Sequence, residues 1–205
     1  MFTETYAASE TGHITFIGSE DWLRKPGSVG RVLGDGRLRI LDDAGREVPA
    51  GQVGTIYVRQ PAYPDFTYSN NPAARAALER DGLWSVGDMG YVDAEGYLYV
   101  ADRKSDMVIS GGVNIYPREI ENALYDHDDV ADCAVFGIPD EKWGESLMAV
   151  VQPRAGVRLS AEEIEAWCRE KLADYKHPRR VEFVDELPRD PNGKVIKRRL
   201  RDQYV

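Results

Sequence analysis

The chain has 205 residues, 42% of them hydrophobic and 30% charged, with a formal net charge of −9. That is the balance of one large globular domain or two small ones, and it excludes disordered and fibrous classes. The acidic total opposes general nucleic-acid binding, no apolar run reaches membrane-span length, and no basic-then-apolar leader follows Met1.

Cys133 and Cys168 are far apart and form no Cys-x-x-Cys spacing, and the three histidines are scattered. Neither a disulfide framework nor a zinc site is expected, and a reducing, cytoplasmic setting is the default. The charge is uneven. Residues 176–205 hold nine Lys/Arg against five Asp/Glu. A positive end on an acidic body suits one local anionic ligand, or simply a solvated end. The basic run "KRRLR" (197–201) is too short to argue for nucleic acid against that acidic body.

In chain order, the first hundred residues read as β-rich. Strand-like runs are "HITFIG" (13–18), "GRLRILDDAGREV" (36–48) with a hairpin turn at "DDAGRE", "GTIYVRQP" (54–61) and "GYLYVADR" (96–103). "SNNPAARAALERDG" (69–82) reads as a short helix with Pro72 in its first turn and Gly82 past its end. After about residue 104 helices and strands alternate. "SDMVIS" (105–110) is a strand, "GGVN" (111–114) a glycine turn, and "PREIENALYDH" (117–127) a helix with Ile120, Ala123 and Leu124 on one face. "VADCAVFGIP" (130–139) and "ESLMAVVQP" (145–153) read as buried strands. "SAEEIEAWCREKLA" (160–173) opens with a capping box of Ser160 and Glu163 and aligns Ile164, Trp167, Cys168 and Leu172. "RVEFVDEL" (180–187) is a last strand, and "DPNG" (190–193) a tight turn that presents Lys194. The β-rich first part lacks a helical layer of its own, so the chain reads as the back portion of a longer protein.

Several stretches carry chemistry. Ser9 and Glu10 set a hydroxyl beside a carboxylate on a turn of small residues. Asp88 stands between Gly87 and Met89, and Asp102–Arg103–Lys104 stands at the end of a strand. Gly111–Gly112 forms a glycine pair, and Lys194 follows a stiff turn. These are the parts needed to hold a polyphosphate nucleotide. A carboxylate binds Mg²⁺ through oxygen, a hydroxyl and backbone N–H groups contact phosphate, an Asp accepts both ribose hydroxyls, and cations counter charge developing at phosphorus. Taken singly, each also reads as a helix cap, a turn residue or a solvated charge; order and spacing carry the argument.

The order and spacing resemble the acyl-adenylate-forming enzymes, which include acyl-CoA synthetases, adenylation domains of nonribosomal peptide synthetases, and luciferases. "YAASETG" (6–12) resembles the family's Tyr-Gly-x-Thr-Glu segment, and "GTIYVRQP" its Gly-Glu-Ile-x-Val-Arg-Gly-Pro. "WSVGDMGYVDAEGYLYVADRKSDMVISGGVNIYPREIE" resembles its Thr-Gly-Asp…Gly-Arg…Gly-Gly signature, and "LPRDPNGKVIKR" its terminal Pro-Arg-x-x-x-Gly-Lys. The likeness runs over essentially the whole chain, and the Gly-Gly stretch favours the acyl-CoA ligase branch. It implies an α+β fold: residues 1–103 as a β-rich, distorted barrel-like end of a large domain, and residues 104–205 as a small mobile lid with an antiparallel sheet and flanking helices.

It also implies the chemistry and its partners. A carboxylic acid of fatty, aromatic or sterol-like type would join AMP from ATP, with Mg²⁺, and then pass to coenzyme A. Tyr6 would stack near adenine, Ser9 contact phosphate, and Glu10 bind Mg²⁺. Asp88 would bind the ribose hydroxyls with help from Arg103. Lys194 would bridge the acid and the α-phosphate, Ser105 would be the pivot of the lid, and Gly111 and Gly112 would line the coenzyme A channel. The sequence departs from the family pattern at Ala7, Ser9, Gln60, Val86 and Ser105, none of which removes a charge assigned to chemistry. Two alternatives stand beside this reading: a module that loads a carrier protein, and one that kept the fold without the activity.

Overall fold

The structure, a computed structural model, describes residues 2–204. The chain divides into two units, Met1–Lys104 and Ser105–Val205.

The first unit is built almost entirely of short antiparallel strands. β1 (Thr3–Glu4), β4 (Thr15–Gly18) and β5 (Arg31–Val32) make one small sheet, and β2 (Ala7–Ala8) pairs with β3 (Gly12–His13). The main sheet is centred on β7 (Gly54–Arg59). One edge of β7 takes β6 (Arg37–Leu41), while the other takes β10 (Asp88–Val92) near Gly54 and β9 (Leu83–Trp84) near Val58. β8 (Glu79–Arg80) extends β9 and β11 (Leu98–Arg103) extends β10. The sheet stays open and does not close into a barrel. Its core is the alternate face of the strands, with Ile40, Ile56, Val58 and Leu98 packed on Ile14 and Tyr6. The helix α1 (Ser19–Arg24) follows β4.

The helix read from residues 69–82 is shorter than expected. α2 spans Pro72–Leu78, with Asn71 as its N-cap accepting from Ala74 N–H at 3.1 Å. Gly82 does not cap it. Asp81 and Gly82, at φ 52° and 72°, are the two central residues of the β8–β9 hairpin. Two consecutive positive φ values are what a tight two-residue hairpin demands, and Asp-Gly is a favoured pair for it.

In the second unit the sequence's buried strands form one long hairpin. β14 (Val130–Asp140) and β15 (Gly144–Pro153) run in register from Val130↔Pro153 to Asp140↔Gly144. Alternation along them divides two cores. Cys133, Val135, Leu147, Ala149 and Val151 face α3 (Pro117–Tyr125) and α4 (Ala161–Lys171) through Ile120, Leu124, Ile164 and Cys168. Ala134, Phe136, Met148 and Val150 face the opposite way, onto Leu187 and onto Leu200 of α5 (Lys197–Tyr204). Cover on both faces explains why these strands read as continuous apolar runs rather than alternating ones.

β12 (Val108–Ser110) and β13 (Val113–Ile115) form a second hairpin, joined to β15 at Ser110↔Gly144. Gly111 and Gly112, at φ 58° and 81°, make its two-residue turn. The sheet is antiparallel except for β16 (Arg180–Phe183), which runs parallel to β15. α4 is the crossover helix that a parallel pairing requires. The capping box is formed: Ser160 Oγ accepts from Glu163 N–H at 3.3 Å, and Glu163 Oε2 accepts from Ser160 N–H at 2.8 Å. Among the described residues no helix is long and apolar enough to cross a membrane.

Candidate active site

Three of the expected nucleotide-binding residues converge in the first unit. Asp88 opens β10, Arg103 closes β11, and the antiparallel register sets them opposite one another. Asp88 is buried. Its Oδ2 accepts a hydrogen bond from the Tyr6 hydroxyl at 2.6 Å, and its Oδ1 lies 3.5 Å from Arg103 Nε. Asp102 is buried behind Arg103 and accepts from its backbone N–H at 2.8 Å. Lys104 N–H donates to Gly87 O at 2.8 Å, tying together the two backbone segments that flank the pair.

The Tyr6 ring, expected to stack near adenine, is 8% exposed and packs in the core cluster. What it presents is its hydroxyl. Burial first, then the hydrogen bond to Asp88, pushes the phenol far above its ordinary range, so it is a donor throughout the physiological pH range. Glu10 raises that phenol and Arg103 lowers it, which places both charges within electrostatic reach of the same oxygen.

Ser9 and Glu10 sit on the turn between β2 and β3. The buried hydroxyl of Thr11 accepts from Ala8 N–H at 3.1 Å, and Thr11 N–H donates to Ala8 O at 3.1 Å, so the turn is closed twice. Ser9 is exposed and Glu10 half-buried. Glu10 Oε1 accepts from the Tyr68 hydroxyl at 2.9 Å. Burial and this carboxylate raise the Tyr68 phenol above its usual value. The described residues contain no group of three or more His, Cys, Asp or Glu that could hold a metal. A single half-exposed carboxylate with one oxygen fixed by Tyr68 fits Mg²⁺, which keeps most of its waters and leans on substrate phosphates rather than on a protein cage.

The second unit carries the other expected residues at separate places. Ser105 is exposed at its start, its hydroxyl 3.2 Å from Asp106 Oδ1. Gly111 and Gly112 form the β12–β13 tip, where Gly111 N–H donates to Trp143 O at 2.9 Å and the Trp143 ring packs on Gly111. Trp143 begins the turn end of the β14–β15 ladder, and beside it lies a cavity of 140 Å³ lined by Gly111, Trp143, Tyr175, His177 and Arg179 among others.

Lys194 belongs to a hairpin closed by an Arg189↔Val195 bridge. The Asp190 carboxylate accepts from Asn192 N–H and Lys194 N–H, both at 2.9 Å. The base of this hairpin is ion-paired to Asp132, near the start of β14. Asp132 and Asp140 are eight residues apart on one strand, so the lysine hairpin and the glycine tip lie at ends of the ladder roughly 25 Å apart.

Residues 1–63 match the family described as AMP-binding enzyme, and residues 119–194 match the AMP-binding enzyme C-terminal domain. The chain belongs to this family of adenylate-forming enzymes. It is 45% identical to the indoleacetate–CoA ligase of Aromatoleum aromaticum over 97% of this chain and 39% of that protein. It is 40% identical to the long-chain-fatty-acid–CoA ligase of Bacillus subtilis over 98% of this chain and 36% of that protein. The solved o-succinylbenzoate CoA synthetase of Bacillus subtilis, in complex with its acyl-adenylate intermediate, superposes at a TM-score of 0.89. Its identity is 37%, over 98% of this chain and 40% of that one. The chain thus spans about two-fifths of the length of the relatives it matches.

The structure also brings forward residues that the sequence did not single out. Tyr68 reaches Glu10 across 58 positions, and its only sequence signal is an aromatic in a polar, Pro-containing loop. Asp132 and Glu121 hold the ends of the Lys194 segment. They look in sequence like ordinary strand-edge and helix-surface charges. Gln60, noted as a departure, is buried and donates from Nε2 to Leu33 O at 3.0 Å, so the larger side chain replaces backbone solvation with a hydrogen bond.

Proposed function

We propose that this chain supplies the nucleotide-holding strands and the lysine-bearing unit of an acyl-CoA ligase. In that reaction a carboxylic acid displaces pyrophosphate from ATP to give an acyl-adenylate, and the thiol of coenzyme A then takes the acyl group and releases AMP. The observation that carries the reading is the Asp88 carboxylate, fixed by Tyr6 and faced by Arg103, beside the Glu10 turn. A rigid, partly buried carboxylate can accept both hydroxyls of a ribose without first being ordered, and Arg103 offsets its charge toward the phosphates. Ser9 donates to phosphate from the turn. Glu10 holds Mg²⁺, which when bound neutralises phosphate charge. The acid is of the fatty, aromatic or sterol-like class, and the two buried free thiols suit a reducing, cytoplasmic compartment.

Lys194 serves the first step. The acid and the α-phosphate are both anions, and a compact ammonium between them lowers their repulsion, most strongly where water is excluded. The turn's internal hydrogen bonds limit the entropy lost on placing it. The glycine tip serves the second step, where only backbone separates the coenzyme A arm from the unit. Two tips roughly 25 Å apart cannot occupy one reaction centre together, so the unit must present first one end and then the other. Ser105, at the boundary of the two units, is the place for that pivot.

The test is acid-dependent exchange of pyrophosphate into ATP by the full-length protein across fatty, aromatic and sterol acids. At least one acid supports exchange, and Lys194→Ala lowers it on the order of 10²–10³-fold while thioester formation from supplied acyl-adenylate survives. No exchange with any acid, or equal loss of both steps, refutes the proposal.

A further inference from the structure

We infer that Glu121 and Asp132 are positioning residues for Lys194, acting through a two-point charge clamp on the chain either side of it. Two cations flank the lysine, Arg189 five residues before it and Lys197 three residues after. Each is paired with a buried or nearly buried carboxylate on the body of the second unit. Arg189 meets Asp132 and also donates to Gly193 O across the hairpin. Lys197 Nζ lies 2.8 Å from Glu121 Oε1.

Both carboxylates are themselves fixed to β14. Asp132 Oδ1 accepts from Cys133 N–H at 2.8 Å and from the Tyr125 hydroxyl at 2.6 Å, and Glu121 Oε1 accepts from Val135 N–H at 2.8 Å. The lysine segment is therefore anchored at both ends to one strand, at Asp132, Cys133 and Val135, and to the helix α3 beside it. Lys194 is exposed, and among the described residues its ammonium meets no carboxylate within ion-pair distance. The arrangement spends its ion pairs on the neighbours of the lysine and leaves the lysine's own charge for a ligand.

Ion pairs suit this task better than apolar packing. Arg189 holds Asp132 and the hairpin carbonyl of Gly193 at once through its fork of donors, and the carboxylates lose alternative geometries to their backbone partners. A misplacement of about 1 Å at a positioned group costs on the order of 10²-fold in rate. The clamp thus sets how efficiently the lysine reaches the reacting anions, and it has no part in thioester formation.

This inference rests on the reading of Lys194 in the adenylation step. The experiment uses the full-length protein with Asp132→Asn and Glu121→Gln, made separately, and Lys197→Arg as the charge-conserving control. Amide hydrogen exchange over residues 189–195 is measured alongside acid-dependent pyrophosphate exchange and thioester formation from supplied acyl-adenylate. In both carboxamide variants hydrogen exchange at the hairpin rises, and kcat for pyrophosphate exchange falls on the order of 10²-fold with KM for ATP unchanged. Thioester formation is retained, and Lys197→Arg keeps both activities. Unchanged protection of the hairpin overturns the clamp, as does a parallel fall of both chemical steps. If the parent protein exchanges pyrophosphate with no acid, it is the functional reading that fails, and the hydrogen-exchange arm still decides the clamp.

Discussion

Tyr6→Phe isolates one hydrogen bond. The substitution keeps the ring that fills the first unit's core, so no cavity opens, and it removes only the hydroxyl that donates to Asp88 Oδ2 at 2.6 Å. A hydrogen bond to a charged group contributes about 1.5–3 kcal/mol. Asp88 also faces Arg103, whose Nε lies 3.5 Å away, and that guanidinium is 54% exposed. A pair of that kind is screened and contributes roughly 0–1 kcal/mol, too little to take over. The Asp88 side chain is 13% exposed, so water recovers part of the loss. The expected cost therefore sits at the low end, about 1.5–2 kcal/mol, which shifts the melting point of a unit of about 100 residues by on the order of 10 °C. Denaturant titration of the parent and variant, with AMP affinity measured by calorimetry, provides the check. Affinity falls with stability, because an unpaired carboxylate loses its fixed geometry. A variant within about 0.5 kcal/mol of the parent, with AMP affinity unchanged, refutes the argument that Tyr6 holds Asp88.

Two further outcomes follow from the second unit. Ser160→Ala removes the N-cap acceptor of α4 and one arm of its capping box, and costs about 1 kcal/mol, read as a lower denaturation midpoint with an unchanged slope. Burial pushes the Cys133 thiol up to about 12 and the Cys168 thiol up to about 11. In the unfolded chain both ionise near their ordinary value of about 8.5, so the folded state binds more protons above that pH. Stability is full below it and declines as pH rises toward 11–12; neither thiol reacts with iodoacetamide at pH 8.5 until denaturant is added, and ready alkylation of the native protein contradicts this.

Much of the fold is legible in the sequence because its signals are local. Ser160 and Glu163 announce a helix start through contacts three residues apart, and Pro72 and Pro117 both stand at first turns. The Gly111–Gly112 turn is likewise local, because two positive φ values need residues without a Cβ penalty. Gly82 is misread for a related reason: a glycine after a helix reads as its cap, and only the pairing of Glu79–Arg80 with Leu83–Trp84 shows that Asp81–Gly82 turn a hairpin instead. The parallel placement of β16 is equally invisible, since strand direction depends on where α4 lands. Charged partners are the least legible. Tyr68 and Glu10, Arg189 and Asp132, and Lys197 and Glu121 are each separated by more than fifty residues. No periodicity or motif encodes such a pairing.

The separation of Lys194 from the Gly111–Gly112 turn has a physical consequence for the unit's core. Lys194 and the Gly111–Gly112 turn are mechanically linked through the β14–β15 ladder, which has a helical layer on one face and α5 on the other. A ladder with both faces packed is stiff, because any bend opens voids in a close-packed interior. Moving one tip relative to the other by internal flexing would therefore cost far more than moving the unit as one body, as the proposed pivot at Ser105 would. Charge placement agrees with this division. The clamp carboxylates lie at the lysine end, whereas the glycine tip is held by a backbone hydrogen bond and an indole ring, with the cations of Lys142 and Arg179 over that ring. A substitution that softens the ladder, such as Val150→Gly, should consequently impair both chemical steps together, whereas loosening the clamp should impair one.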